Sequence, residues 1–104
     1  IKLGENEYQG KVTLDVVQKI ETALDLGIIQ IAQSASNGSL KLSEMTYILT
    51  QVIKAGNNQI SEKEIGQSLW QGGVAEGMKS VANIVSITLS SGEDEGNEKE
   101  VAQI

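Results

Sequence analysis

Cysteine and histidine are both absent from the 104 residues of this chain. Without cysteine, the chain can form neither a disulfide framework nor a thiolate metal site. Without histidine, it lacks the commonest metal ligand and the commonest general base at neutral pH. A small enzyme that works through carboxylates alone is therefore the weakest interpretation, and we expect a protein with no catalytic residues, no bound metal and no cofactor.

Basic residues are scarce, since 8 of them stand against 14 acidic residues and leave a net charge of -6. Nucleic-acid binding needs a basic face, and an anionic membrane surface repels an acidic chain, so we expect neither as a partner. No apolar run approaches the roughly 18 residues of a membrane-spanning helix, and no signal peptide is visible. We therefore expect a cytoplasmic protein.

Proline and phenylalanine are also missing, and only 3% of the residues are aromatic, so the core has to be aliphatic. A chain of this length can bury roughly two-thirds of its unfolded surface, which suffices for one small domain. Residues 93–104 differ in composition, because they hold five acidic residues and one lysine, a net charge of −4. The sequence predicts a single globular domain over residues 1–92 and an acidic, disordered tail over residues 93–104.

Residues 43–73 have the pattern of two helices joined by a short turn, and the rest of the prediction is organised around them. Ser43 is the expected N-cap of the first helix, and Gly56 is its expected end. Ser61 and Glu64 have the spacing of a capping box at the start of the second helix. The residues of this segment that we expect to be buried recur at helical spacing: Leu49, Ile53, Ile65 and Leu69.

A short β-hairpin is predicted before this segment, with strands over residues 1–3 and 8–13. Thr13 is the expected N-cap of a first helix. The expected apolar stripe of that helix consists of Leu14, Val17, Ile20 and Leu24. Residues 28–32 are compatible with a buried strand, but the polar continuation favours a short helix. The expected fold class is mainly α (α+β), an N-terminal β-hairpin packed on a bundle of about five short helices.

The last predicted helix, residues 74–89, has a wider apolar face than one core contact requires. Part of that face should therefore meet a partner protein or a second copy of the chain. The only tryptophan is a further candidate, because tryptophan often anchors interfaces. The predicted partner-binding residues are Met78, Val81, Val85 and Trp70.

The residues before the second central helix resemble half of an EF-hand calcium loop, with Ile60, Ser61 and Glu64 at suitable places. The first and third places of that loop would be Ile53 and Ala55, which offer no ligand oxygen. Capped helix starts explain the same residues without a metal, and we expect no calcium site.

The order of these elements resembles the phage tail assembly chaperone family, which includes gene transfer agent and siphophage members. The resemblance runs over about residues 1–92, and it begins with the short hairpin. The family then has a helix whose middle carries an apolar residue followed by glutamate, with a glycine shortly after that helix. Ile20-Glu21 and Leu26-Gly27 match these two features.

The second half of the resemblance lies in the central pair of helices and the step that follows it. Residues 44–55 resemble a family helix, and residues 60–66 resemble the Ser/Thr-x-Glu-Glu-apolar-Gly start of the next one. Gly73-Val74 resembles the step into the last helix. Lys63 departs from the family, which often has an acidic residue at that place.

The resemblance implies a non-enzymatic assembly factor that binds the tape measure protein, or other tail proteins, before the tail tube polymerises. A long helical tape measure exposes apolar stripes, and an acidic helical partner can cover them while keeping the complex in solution. The alternative is a generic acidic helical adaptor domain that uses the central helix pair as a docking groove.

Deletion of residues 93–104 should leave the melting temperature nearly unchanged, because a charged tail of this composition buries little apolar surface. Thermal denaturation of the full chain and the truncated chain, followed by circular dichroism, measures the difference. A fall of more than a few degrees on truncation would show that these residues pack on the domain.

Overall fold

The structure is a computed structural model that describes residues 1–3, 6–56 and 59–91. Five helices make up most of this part of the chain: α1 (Leu14–Leu24), α2 (Ile28–Ser36), α3 (Leu42–Ala55), α4 (Glu62–Gly72) and α5 (Val74–Ser91). Two strands of two residues each, β1 (Lys2–Leu3) and β2 (Asn6–Glu7), precede them and pair antiparallel. The predicted tail, residues 93–104, lies outside the described residues.

Helix α3 lies at the centre of the fold and contacts α1, α4 and α5. Its buried residues occupy a little more than half of its circumference and are Met45, Thr46, Ile48, Leu49, Thr50, Val52 and Ile53. The two buried threonines donate their hydroxyls to carbonyls one turn earlier, Thr46 to Leu42 at 2.8 Å and Thr50 to Thr46 at 2.6 Å. Both polar groups are thus satisfied inside the helix, which removes most of the cost of burying them.

Helices α1, α4 and α5 pack directly on α3, whereas α2 packs on α5. Ile65 and Leu69 of α4 are 0% exposed, as are Leu49 and Ile53 of α3, so the predicted core of the central pair is confirmed. Helix α5 contacts α3 and α4, and α2 packs on α5. The α2 helix is therefore attached to the outside of the bundle through α5.

The predicted β-hairpin, with strands over residues 1–3 and 8–13, is wrong, because residues 8–13 form no strand. The described N-terminal residues show only the two-residue pairing of β1 with β2. The following backbone bonds to a helix instead, since the Lys11 N–H donates to the Val52 carbonyl of α3 at 3.0 Å. The fold is mainly α, without the hairpin layer that the alternating residues had indicated.

Two details of the predicted helices also need correction. Leu14 is 69% exposed, whereas Val16 is buried together with Ile20. The buried stripe of α1 therefore runs through Val16, which lies on the opposite side of the helix from Leu14. Ser43 is not an N-cap, because α3 begins one residue earlier and its N-cap is Lys41. The Glu44 carboxylate accepts the Lys41 N–H at 2.8 Å.

The corner between α1 and α2 is held by side chains that accept backbone N–H groups at the start of α2. The Glu21 carboxylate accepts the Ile28 N–H at 2.8 Å, and the Gln30 side chain accepts the Gly27 N–H at 2.9 Å. Asp25 closes α1 in the left-handed conformation with a φ of 55°. Glu21 thus satisfies a donor that has no partner within its own helix, and the carboxylate has a structural role.

Gly56 ends α3 at a point where the N-terminal segment crosses very close to it. A Cβ at Gly56 would lie 2.5 Å from the Gln9 carbonyl oxygen and 3.3 Å from the Gly10 Cα. These are backbone atoms, so relief of the contact requires the crossing segment to move. Gly66, inside α4, has more room, because a Cβ there would lie 3.6 Å from the nearest atom, a methyl carbon of Thr46.

Gly56→Ala and Gly66→Ala should therefore change stability in opposite directions. Gly56→Ala should lower the free energy of unfolding by about 1–3 kcal/mol through overpacking. Gly66→Ala should raise it by up to about 1 kcal/mol, because alanine is the better helix former. Urea denaturation of both variants measures the two values, and equal effects of the same sign would contradict the crossing geometry.

Candidate interaction surfaces

The predicted contact residues of α5 lie mainly in the core. Val81 and Val85 are 0% and 3% exposed, and Met78 is half-buried against the same cluster. Helix α5 contacts three helices, α2, α3 and α4, and also β1, so several neighbours cover it. The wide apolar face of α5 is therefore used for packing inside the core. Of these three side chains, only Met78 is partly exposed.

Trp70, the fourth predicted contact residue, has a different environment. Its side chain is 73% exposed, the highest value among the large apolar residues that the structure describes as exposed. Its neighbour Leu69 is 0% exposed, and a Cβ at the buried Gly77 of α5 would clash with the Leu69 side chain. The close contact between α4 and α5 thus holds fixed the helix that presents the indole.

Polar residues share the outer side of α4 with this tryptophan. Gln67 and Lys63 precede Trp70 by one and two helical turns, and both are exposed. The start of the helix is fixed by a capping box, in which Ser61 Oγ accepts the Glu64 N–H at 3.2 Å and the Glu64 carboxylate accepts the Ser61 N–H at 3.4 Å. The prediction of this capping box is confirmed.

A second candidate surface is a shallow groove between α2 and the end of α5. Ile29 is 56% exposed and Leu89 is 38% exposed, and both line the groove. The remaining lining residues come from α2 and the residue that follows it: Ala32, Gln33, Ser36 and Asn37. The groove combines two large apolar side chains with neutral polar ones, and no charged residue lines it.

Sequence reasoning did not single out this groove. Leu89 belongs to the last predicted helix, part of whose apolar face is expected to meet a partner, and Ile29 lies in the segment compatible with either strand or helix. One signal was visible in the sequence, namely that residues 26–40 contain no charged residue. Because interface cores are depleted in charge, such a run on a surface helix marks a candidate contact region.

The central helix pair, which the adaptor interpretation uses as its docking groove, has a shallow concavity between the first turns of α3 and α4. The lining residues are Leu42, Ser43, Thr46, Glu62 and Lys63. Glu62 and Lys63 are both exposed. This concavity is therefore open to water, and two charged side chains lie at its edge.

The carboxylates considered for chemistry have structural roles at helix starts. Glu21, Glu44 and Glu64 each accept a backbone N–H at the beginning of a helix. Ile53, at the first place of the rejected calcium loop, is a fully buried core residue. Within the described ranges, no three acidic side chains converge on a point where a metal ion could bind.

None of the described helices is long and apolar enough to cross a membrane. Comparison with known proteins identifies one family, whose description is "Phage tail tube protein, GTA-gp10" and whose model matches residues 1–91. Searches of curated proteins and of solved structures give no match.

The family match covers every helix described above, including the three that carry Trp70 and the α2–α5 groove. It confirms the coarse part of the resemblance, a tail protein of a phage or gene transfer agent. A match of this extent shows family membership, and the chain belongs to the phage tail tube protein, GTA-gp10, family.

Proposed function

We propose that this chain is a tail assembly chaperone, which binds the tape measure protein in the host cytoplasm before the tail tube forms around it. Membership in a phage tail family supports the assignment to tail assembly. The exposed Trp70 supports a role in binding another protein. In this proposal the chain is not an enzyme, and it acts only through contact.

The exposure of Trp70 is the observation that carries the proposal. Covering its exposed area would contribute about 4 kcal/mol, from 73% of a side-chain surface of roughly 200 Å² at about 25 cal/mol per Å². The core is complete without this side chain, since α4 is already anchored by Ile65 and Leu69. A large aromatic group that the fold does not use is typical of a binding hot spot.

The charge of the chain indicates the kind of segment that would bind it. With a net charge of -6, the chain attracts basic partners and repels acidic ones. Lys63, on the same side of α4 as Trp70, is a local exception, so the anchor itself is not surrounded by acidic groups. An amphipathic tape measure helix with neutral or basic flanks fits this combination, with its apolar stripe on the indole.

The family description favours a second candidate, a structural component of the tail tube. A tube subunit has to contact copies of itself along and around the tube, and it has to remain in the finished tail. A chaperone, in contrast, leaves before the tail is complete. The two candidates therefore differ in whether the chain is present in the finished particle.

Trp70→Ala should reduce binding to the tape measure protein by at least about 30-fold, the loss typical of a hot-spot residue. Co-expression of the full chain with the tape measure protein of the same gene cluster, followed by co-purification and titration, measures this loss. Leu14→Ala is the matched control, because it removes another exposed apolar side chain, from α1, and should leave binding unchanged.

Three results would contradict the proposal or the role it gives to Trp70. If the wild-type chain never co-purifies with the tape measure protein, the chaperone assignment fails, and the generic adaptor becomes the better interpretation. If mass spectrometry of finished particles finds the chain there in many copies, the structural role replaces the chaperone role. If binding is retained in a folded Trp70→Ala variant, the partner binds elsewhere on the chain.

A further inference from the structure

We infer that two copies of this chain associate through the surface formed by α2 and the C-terminal half of α5, which we call the uncharged face. The exposed side chains that line the groove of this face are Ile29, Gln33, Ser36, Asn37 and Leu89. The inference does not depend on the tape measure proposal, because it concerns a different part of the surface from Trp70.

The distribution of charge along the chain is the first observation. Residues 26–40 and residues 80–92 contain no charged side chain, although 21% of the whole chain is charged. Helix α2 packs on α5, and Leu89 of α5 lines one groove with Ile29 and Ala32 of α2. Two uncharged stretches far apart in the sequence therefore form one continuous surface in the fold.

The exposed apolar side chains on this surface are the second observation. Ile29 is 56% exposed and Leu89 is 38% exposed, and both lie in the same groove. The core does not need them, because α2 is anchored by Ile31 and Ala35, which are 0% and 5% exposed. An apolar centre with neutral polar surroundings is the composition of a protein–protein contact.

The charge also selects the partner. A partner attracted by the acidity of this chain would bind where carboxylates are exposed. Helix α2 itself has none, and the Glu21 carboxylate at its start accepts the Ile28 N–H. Two copies of a chain with a net charge of -6 repel each other at most orientations. Contact through the uncharged face reduces this repulsion, because each copy offers the same apolar groove and none of the residues that line it is charged.

Such a contact is self-complementary and closes with two-fold symmetry. A two-fold axis perpendicular to α2 makes the two α2 helices antiparallel, so that Ile29 of one copy faces the far end of the groove of the other.

The dimer also has a consequence for the surface around Trp70. Trp70 lies on α4, outside the uncharged face, so each dimer presents two exposed indoles. Two anchors on one particle raise the apparent affinity for a partner with repeated apolar stripes, because the second contact is made at high effective concentration.

Sedimentation velocity of the full chain, from about 1 to 200 μM, should show a concentration-dependent dimer with a Kd in about the micromolar range. Added salt should strengthen association, because it screens the repulsion between two acidic copies while the contact itself contains no ion pair. Ile29→Glu should weaken association by at least about tenfold, because it places a carboxylate of each copy in the contact.

Leu14→Glu is the matched control, since it puts the same carboxylate on an exposed apolar position of α1 and should dimerise like the wild type. Leu89→Glu places a carboxylate on the α5 side of the same face, and it replaces Ile29→Glu as the test if that variant does not fold. Circular dichroism checks the folding of every variant. A wild-type chain that stays monomeric over the whole concentration range overturns the inference. So does a folded Ile29→Glu variant that dimerises as strongly as the wild type.

A third result separates this inference from the proposed function. If the wild type is monomeric and Ile29→Glu loses capture of the tape measure protein, the uncharged face is the docking site of that partner. The dimer is then excluded, while the chaperone proposal stands. If the dimer forms but the tape measure protein is not captured, the dimer is retained and the chaperone proposal fails.

Discussion

Burial of α3 on more than half of its circumference is the constraint on which the rest of the structure depends. Seven of its residues are buried, and they lie on more than one side of the helix. A helix of this kind cannot be covered by one neighbour, so α1, α4 and α5 all pack against it. Once α3 is covered, α2 has only α5 left to pack on, and the outer sides of α2 and α4 become the surfaces available for partners.

Features that depend on local chemistry could be predicted from the sequence. The Thr13 cap, the Ser61–Glu64 capping box and the end of α3 at Gly56 are all present, because each involves residues within a few positions of one another. The hairpin was wrong for the opposite reason. The residues after β2 alternate like a strand, but the backbone partner of Lys11 is Val52, about forty residues away, and no local pattern shows this.

The candidate surfaces were only partly predictable for a similar reason. The wide apolar face of α5 was interpreted as a partner site, yet Val81 and Val85 are buried, because α5 touches three other helices. A sequence shows how wide an apolar face is, but it does not show how many neighbours share that face. The uncharged run around Ile29 was visible in the sequence, whereas its joining with the end of α5 at Leu89 required the fold.

Native-state hydrogen exchange, followed for each amide as denaturant is added, tests the central position of α3 most directly. The amides of Leu49, Thr50 and Ile53 should exchange only through global unfolding, with opening free energies equal to the free energy of unfolding. Amides of α2, which packs on the outside of the bundle, should open at lower free energies. If the α3 amides instead exchange through local openings well below the global value, while another helix is the last to open, α3 is not the centre of this fold.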